Sequence, residues 1–416
     1  MFNRLITEIV RRKFTRIMRF KEDKRPEIPR GDILPRLLYL HIPFCERLCP
    51  YCSFHRVTFQ ESLCRRYFAA LRKEILLYKE EGYSFRGVYV GGGTPTVMID
   101  ELEETLNLVG ECFPIREISV ETNPNHLTAG CLAALKRAGV GRLSVGIQSF
   151  DDGLLKAMDR YEKYGSGEAI AERLQEALGI FDTLNADMIF NFPSQNLTML
   201  NRDLDILMDM EIDQITYYPL MVSDSTRQLV KSAFGRVDYG TEEILYRQII
   251  KRLLPTYSFS SAWCFSRKES ASIIDEYIVD YDEYAGLGSG SIGYLKGTTY
   301  ANTFDIPRYI DEINRGKAPL WASRDFNLKE KMRYDFLMKL FTTKMKAQSL
   351  PRKYGIMFYL LLWPDILSFF LMGGIRYRGG CLYLTKRGCY LWVIMMREFF
   401  IAVNNFRDFC RNNVVS

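Results

Sequence analysis

The stretch "HIPFCERLCPYCSFHRV", residues 41–57, places three cysteines within eight positions: Cys45, Cys49 and Cys52. The chain has ten cysteines in all, and the other seven are scattered among mostly apolar neighbours, as buried free thiols usually are. Three thiolates this close together can bind zinc or an iron–sulfur cluster. Zinc prefers four protein ligands, and His55 could complete such a set. A cluster held by three cysteines would instead leave one iron open to a small molecule. The cysteine spacing alone does not distinguish a zinc site from an iron–sulfur cluster.

The position of the cysteines favours the cluster. They follow the first of six short β-rich runs that alternate with amphipathic helical stretches, a pattern that predicts a parallel sheet with crossover helices. Six such units predict an open or partial α/β barrel, in which the chemistry collects at the C-terminal ends of the strands. Structural zinc is more usual in small ribbons and fingers. The six predicted strands are residues 37–42, 87–90, 117–121, 142–147, 186–190 and 214–220.

The chain divides into three predicted parts: a basic N-terminal segment (1–30), an α/β core (31–300) and a smaller, mostly helical C-terminal domain (301–416). The longest apolar stretch, residues 355–374, is interrupted by Pro364 and Asp365. It is therefore too short for a membrane span of roughly 18 clean residues, and it predicts a core helix followed by a turn.

The net charge of +6 is confined to residues 1–30, which hold ten Lys or Arg and four Asp or Glu. The rest of the chain is balanced, which disfavours nucleic acid as a partner. Apolar residues at helical spacing between 5 and 18 predict an amphipathic helix. We interpret it as docked on the protein's own surface, with peripheral contact to an acidic membrane or partner as the alternative. No signal peptide is visible, and we expect a cytoplasmic protein.

The segment "YLHIPFCERLCPYC" resembles the signature of the radical S-adenosylmethionine (SAM) superfamily, in the branch that contains oxygen-independent coproporphyrinogen III oxidase. The resemblance implies a partial (β/α)6 barrel in which the three cysteines bind a [4Fe–4S] cluster. The open iron would chelate SAM, of which one or two molecules are expected. It also implies an electron donor such as flavodoxin or ferredoxin, and a tetrapyrrole-like substrate.

Further motifs at predicted strand ends match the superfamily's SAM site. They include "YVGGGTPT" (89–96), "SVETNP" (119–124), "RLSVGIQSF" (142–150) and "ADMIFNFP" (186–193). By this resemblance, the expected SAM-binding residues are Tyr39, Tyr51, Gly92, Gly93, Thr94, Glu121, Gln148, Arg160 and Asp187. Tyr39 and Glu121 are also expected to act in catalysis.

Several of these residues also have ordinary structural interpretations. A helical arginine such as Arg160 usually closes a salt bridge, whereas an aspartate inside an apolar run such as Asp187 must be paired or bound to a ligand. Tyr39 and His41 are expected on opposite faces of the first strand, with His41 behind the site. The Gly-rich segment 286–297 resembles a superfamily segment, but it suggests no ligand of its own.

Phe54 marks a departure from the resemblance. The coproporphyrinogen oxidase has a further cysteine at this place, whereas Phe is similar to the branch of haem chaperones and radical methyltransferases. Three functions therefore stay open: a radical SAM oxidoreductase acting on a tetrapyrrole in porphyrin or haem metabolism, a radical SAM methyltransferase, and a haem chaperone of the HemW type. We expect the oxidoreductase.

Overall fold

The computed structural model describes residues 2–18, 20, 30–268 and 281–413. The strands are β1 (Pro35–Ile42), β2 (Phe44–Cys45), β3 (Val57–Thr58), β4 (Ser84–Gly92), β5 (Glu117–Thr122), β6 (Arg142–Gln148), β7 (Thr183–Phe190), β8 (Gln214–Pro219), β9 (Tyr257–Phe259), β10 (Cys264–Arg267), β11 (Tyr284–Leu287), β12 (Ile292–Leu295), β13 (Thr298–Asn302), β14 (Leu320–Asp325), β15 (Lys344–Lys346), β16 (Ile375–Arg378) and β17 (Cys381–Leu384).

The helices are α1 (Phe2–Ile17), α2 (Glu61–Glu80), α3 (Ile99–Cys112), α4 (Ala129–Arg137), α5 (Asp152–Ala157), α6 (Tyr161–Tyr164), α7 (Gly167–Glu176), α8 (Leu197–Asp209), α9 (Arg227–Phe234), α10 (Tyr239–Leu253), α11 (Ile306–Asn314), α12 (Leu328–Phe341), α13 (Ser349–Tyr354), α14 (Ile356–Leu361), α15 (Trp363–Leu371) and α16 (Lys386–Asn413). Two short 3₁₀ turns lie at Pro95–Met98 and Pro124–His126.

The main sheet has twelve strands in the order β14-β13-β12-β11-β1-β4-β5-β6-β7-β8-β10-β9. The six strands β1, β4, β5, β6, β7 and β8 run parallel to one another, and helices connect them. This confirms the predicted α/β class and the partial (β/α)6 barrel. At one end the parallel β11 and the antiparallel β12–β14 extend the sheet, and at the other end β10 and β9 do so.

The register of the parallel strands brings the predicted motifs to one edge of the sheet. His41 and Ile42 of β1 lie opposite Gly91 and Gly92 of β4, so the cysteine loop starts beside the glycine loop. Gly146 of β6 lies opposite Asp187 of β7. Because parallel strands end at the same edge, side chains that are far apart in sequence meet there.

The C-terminal part is less separate than predicted. The boundary at residue 300 falls inside β13, which pairs with β12 and β14 in the main sheet. The sheet therefore continues to Asp325, and the division of the chain into three domains remains a proposal. Beyond the sheet lie helices, a small three-stranded sheet ordered β15-β17-β16, and the 28-residue helix α16.

The prediction of a core helix within 355–374 is wrong. The stretch forms α14 and α15, which bury only a narrow stripe made by Phe358, Leu362 and Ile366. These three residues are spaced four apart. Leu361, Phe369 and Phe370 are half-buried against the core, and the ring centroids of Phe369 and Trp392 lie 5.0 Å apart. The exposed large side chains are Ile356, Met357, Tyr359, Leu360, Trp363, Leu367 and Leu371. In the part of the chain described here, no helix combines the length and apolar character needed to cross a membrane.

The N-terminal helix α1 packs on α16, which confirms the docked interpretation for this part of residues 1–30. Arg11 Nε donates to Glu398 Oε2 at 2.7 Å, and the rings of Phe14 and Phe399 meet edge-on with centroids 5.4 Å apart. The apolar face is thus occupied within the protein, and the alternative of a membrane contact through this helix gains no support. Residues 19 and 21–29 of the segment lie outside the described residues.

Candidate active site

One cavity of about 320 Å³ opens at the C-terminal ends of the parallel strands. Every predicted site residue except Thr94 lines it: Tyr39, Cys45, Cys49, Tyr51, Cys52, Gly92, Gly93, Glu121, Gln148, Arg160 and Asp187. Thr94 lies directly behind the lining, where its hydroxyl donates to Cys45 Sγ at 3.7 Å. The structure therefore brings together residues that six separate strands contribute.

The loop that carries the cysteines is fastened at both ends. Cys45 ends β2, which pairs in parallel with β3, so the chain closes on itself around Cys49 and Cys52. Arg56 ties the loop together because its Nη2 donates to the carbonyl oxygen of Cys49 and, at 2.8 Å, to that of Cys52. All three thiols consequently face the cavity rather than the protein core.

The structure separates His55 from the thiols. Its Nε2 lies 3.3 Å from Ser289 Oγ, and its ring meets Phe304 edge-on at a centroid distance of 5.1 Å. This buried histidine therefore packs behind the cysteine loop and does not line the cavity. Among the described residues, no three His, Cys, Asp or Glu side chains are arranged to hold a metal ion by themselves. This geometry therefore does not provide a Cys3His zinc site that includes His55.

The surroundings of the thiols fit an iron–sulfur cluster. Burial, together with the nearby Cys52, raises the pKa of the Cys45 thiol to about 11, so a cluster must displace a proton when it binds. Three cations, Arg56, Arg160 and Lys163, also line the cavity and would stabilise the negative charge of thiolate ligands. Three thiols open to one cavity and ringed by cations are a donor set for a cluster with one site-exposed iron.

The glycine loop packs so closely against its own neighbours that side chains would not fit. A Cβ at Gly93 would lie 2.5 Å from the Phe44 carbonyl oxygen, and one at Gly91 would lie 2.7 Å from the Glu121 carboxylate. Gly92 has φ of +118°, a backbone conformation that favours glycine. Glycine is therefore required here for the packing of the loop, and Gly92 and Gly93 line the cavity with backbone atoms alone.

Glu121 ends β5 with both carboxylate oxygens engaged. Tyr89 donates its hydroxyl hydrogen to Oε1 at 2.8 Å, and the Gly92 N–H donates to Oε2 at 3.1 Å. The carboxylate therefore fixes the glycine loop while it faces the cavity. Tyr89 also lines the cavity, and the sequence prediction missed it although it lies in the quoted "YVGGGTPT".

Tyr39 and His41 share one face of β1, so the expectation of opposite faces is wrong. Residues two apart in a strand point to the same side, and the Tyr39 hydroxyl lies 2.8 Å from His41 Nδ1. Burial lowers the pKa of His41 to about 3, which keeps the ring neutral. Its Nε2 lies 2.9 Å from the His55 carbonyl oxygen and must carry the hydrogen, so Nδ1 accepts from Tyr39. The Tyr39 oxygen is thereby oriented to accept hydrogen bonds from cavity groups.

Arg160 forms no salt bridge with any residue that the structure describes. It lies between α5 and α6, buried, with its guanidinium stacked 4.3 Å from the centre of the Tyr164 ring. It donates to the Gly146 carbonyl oxygen, to the Tyr51 hydroxyl at 3.4 Å and to Cys49 Sγ at 3.9 Å. Its Nε has no hydrogen-bond partner among the described residues. This buried cation faces the cysteine end of the cavity.

Gln148 enters the cavity through a backbone irregularity. The pairing of β6 with β7 shifts register between Gly146 and Gln148, and Gln148 has φ of +74°. Such bulges and unfavourable conformations occur at functional sites because they re-aim a side chain. On the neighbouring strand, Asp187 accepts hydrogen bonds from Ser144 at 2.7 Å and Asn185 at 2.8 Å, so its orientation is fixed.

An aromatic wall also lines the cavity, and the C-terminal helix contributes to the lining. The wall consists of Tyr218, Trp263, Tyr284, Tyr294, Phe326, Tyr334, Phe399 and Phe400. Val403, Asn404 and Arg407 from α16 and Met18 following α1 line the cavity as well. This wall could not be predicted from the sequence, because its members come from distant segments. The Gly-rich segment contributes support instead: Ser289 contacts His55, and a Cβ at Gly290 would lie 2.4 Å from the His55 ring.

Comparisons with known proteins agree with this geometry. A family model described as the radical SAM superfamily matches residues 39–230. An oxygen-independent coproporphyrinogen III oxidase from Bradyrhizobium diazoefficiens is 35% identical over 339 residues, which cover 76% of this chain and 74% of that protein. A heme chaperone HemW from Bacillus subtilis is 27% identical over 366 residues, or 84% of this chain and 95% of that protein.

Among solved structures, the coproporphyrinogen III oxidase HemN from Escherichia coli superimposes with a TM-score of 0.74 at 20% identity. The match covers 92% of this chain and 95% of that one. It shows the same fold from the barrel through the C-terminal part.

Proposed function

This chain belongs to the radical SAM superfamily, in the family of oxygen-independent coproporphyrinogen III oxidase and HemW, and from that premise we propose that it is an enzyme acting on a tetrapyrrole. The superfamily uses a [4Fe–4S] cluster and SAM. When bound, they supply a one-electron reductive cleavage of SAM that generates a hydrogen-abstracting radical. The reducing electron would come from a donor such as flavodoxin or ferredoxin.

The chain's own residues have distinct tasks in this proposal. Cys45, Cys49 and Cys52 hold the cluster, and the backbone of the glycine loop receives the amino-acid part of SAM. Glu121 and the Tyr39 oxygen, both oriented by hydrogen bonds, accept from its ammonium group. Groups that are already oriented lose little conformational freedom when they bind a charged ligand. The filled pocket also excludes water from the reacting atoms.

The remaining polar residues would complete the SAM pocket. Arg160 offers a buried guanidinium for the SAM carboxylate, since charge-assisted bonds of this kind are the strong ones. Gln148 and Asp187 lie on adjacent strands where the ribose and adenine could hydrogen-bond. Tyr51, which lies in the cysteine loop, accepts a hydrogen bond from Arg160 at 3.4 Å and so connects this loop to Arg160.

The aromatic wall is the observation that carries the choice of a tetrapyrrole. Its eight aromatic side chains line the cavity, and flat rings stack well on such surfaces. The relatives, a coproporphyrinogen oxidase and a heme chaperone by name, point to the same class of ligand. We therefore place the substrate between the SAM pocket and α16.

Two other functions remain candidates for specific reasons. The HemW relatives favour haem transfer, but the three histidines all lie outside the cavity lining, so axial ligation by histidine would need another site. Phe54, in place of the oxidase's further cysteine, favours a radical methyltransferase. The oxidoreductase and the methyltransferase use the same SAM cleavage and differ in the products that follow.

Product analysis separates the three functions. The full-length protein, reconstituted anaerobically and reduced with dithionite, would be incubated with SAM and coproporphyrinogen III as a probe and analysed by mass spectrometry. The proposal predicts 5′-deoxyadenosine together with loss of CO₂ and two hydrogens from the probe. S-adenosylhomocysteine with a methylated product would establish the methyltransferase. Haem binding without SAM cleavage would establish the chaperone and overturn the enzyme.

A further inference from the structure

Phe54, the residue at which the chain departs from the family resemblance, contacts the C-terminal helix α16 at the cavity. The guanidinium carbon of Arg407, on α16, lies 4.8 Å from the centre of the Phe54 ring. Arg407 lines the cavity and is only 7% exposed. The Phe54 ring packs on the face of the Arg407 guanidinium in a cation–π interaction. The N–H groups at the edge of the guanidinium therefore do not contact the ring.

The edge of that guanidinium is incompletely satisfied within the protein. Nη1 donates to Asn404 Oδ1 at 2.9 Å, whereas Nε is buried and has no hydrogen-bond partner within the described ranges of the chain. Among the described residues Arg407 forms no ion pair with a carboxylate, and the adjacent Asp408 is paired with Arg411 instead. A buried charge is costly unless an opposite charge accompanies it.

Another arginine on the same helix shows how this chain buries a structural guanidinium. Arg397 is fully buried and is paired with both Glu242 and Glu398. Arg407, ten residues further along, is almost as buried but has no such partners. The contrast indicates that the counter-charge of Arg407 comes from outside the chain.

We infer that Arg407 is a substrate-binding residue that receives a carboxylate of the molecule that packs on the aromatic wall of the cavity. Its planar fork suits a carboxylate, to which it can donate two parallel hydrogen bonds. Phe54 is then a positioning residue that orients the Arg407 guanidinium at the cavity. The inference rests on the proposed function for the identity of the substrate, a tetrapyrrole carrying carboxylate side chains.

The carboxylate of SAM is the other anion that could reach the cavity, and the structure favours Arg160 for it. Arg160 contacts Cys49 and Tyr51 of the cysteine loop, whereas Arg407 packs on Phe54 and belongs to α16, whose other lining residues include Phe399 and Phe400 of the aromatic wall. The two guanidinium groups thus offer one anion site for the cofactor and one for the substrate.

Binding of a porphyrin acid and its neutral ester tests the assignment. Full-length, anaerobically reconstituted protein would be titrated with coproporphyrin III and with its tetramethyl ester, followed by absorbance and fluorescence. Arg407→Met should weaken binding of the acid roughly ten- to a hundredfold, because a charge-assisted hydrogen bond is lost, and should leave the ester unchanged. Arg407→Lys should recover part of the affinity. The matched control is Arg411→Met, which removes a paired guanidinium from the same helix and should change neither titration.

Thermal unfolding without porphyrin provides an independent measurement. An arginine kept for a ligand should not be needed for stability, so Arg407→Met should unfold at the same temperature as the native protein or above it. A midpoint several degrees lower would show a structural arginine and overturn the inference. Equal weakening of acid and ester, or loss of SAM affinity in place of porphyrin affinity, would also overturn it. If the native protein binds neither porphyrin, the tetrapyrrole proposal fails, while the unfolding comparison still decides the role of Arg407.

Discussion

Replacing Glu121 with glutamine probes the link between the glycine loop and SAM. The carboxylate uses one oxygen for the Tyr89 hydroxyl and the other for the Gly92 N–H. Glutamine keeps a single acceptor oxygen, so one of these two donors loses its partner, and the charge facing the cofactor's ammonium group disappears. Loss of one hydrogen bond to a charged group costs roughly 1.5–3 kcal/mol. We therefore expect SAM affinity to fall about ten- to a hundredfold.

The assay is a SAM titration of reduced, cluster-loaded protein followed by electron paramagnetic resonance, with iron and sulfide measured on the same samples. Tyr89→Phe removes only the support of Glu121 and should weaken SAM by a smaller factor, about fivefold, for a neutral hydrogen bond of about 1 kcal/mol. Glu103→Gln, on a surface carboxylate paired with Arg137, is the control and should have no effect. Unchanged SAM affinity in Glu121→Gln, with four irons retained, would refute the assigned role of this carboxylate.

Two further predictions concern stability. Burial raises the pKa of Glu74 from 4.5 to about 7, so the folded state holds a proton that the unfolded chain has released. The free energy of unfolding should then fall by roughly 3 kcal/mol as pH rises from about 4.5 through 7, and urea titrations should show a shallower pH dependence in Glu74→Gln. An equally steep dependence in that variant would contradict the assignment. Deleting residues 1–18 should lower the unfolding temperature, because Glu398 loses Arg11, and should leave binding to anionic vesicles unchanged. Salt-sensitive vesicle binding that the deletion abolishes would show that the helix also serves a membrane.

The part of the site at the strand ends could be predicted from topology together with the family resemblance. Strand ends in a barrel converge at one edge, which brings Glu121 and Asp187 together, whereas their roles and that of Cys45 were predicted from the resemblance. The burial of Arg160 without a carboxylate could not be foreseen in the same way. It depends on Tyr164 and Tyr51 being brought against it, which no local pattern encodes.

The C-terminal part was predicted less well because its signals are ambiguous. The stretch 355–374 is apolar on nearly every side, so its composition predicts a buried helix, whereas among its large apolar side chains only Phe358, Leu362 and Ile366 are fully buried. Strands β11–β14 are short, and their place in the sheet follows from pairing rather than from propensity. The contact between Arg407 and Phe54 joins residues more than 350 positions apart, and only the folded chain reveals it.

The most direct test of the account is whether three cysteines, and no other residue, hold a cluster that cleaves SAM. Native protein reconstituted anaerobically should contain four irons and four sulfides, and should convert SAM to 5′-deoxyadenosine on reduction. Cys45→Ala, Cys49→Ala and Cys52→Ala should each lose the cluster's visible absorption and this activity, whereas Cys64→Ala, at a buried thiol in α2, should keep both. Tightly bound zinc in the native protein, or four irons retained in Cys45→Ala, would contradict the account.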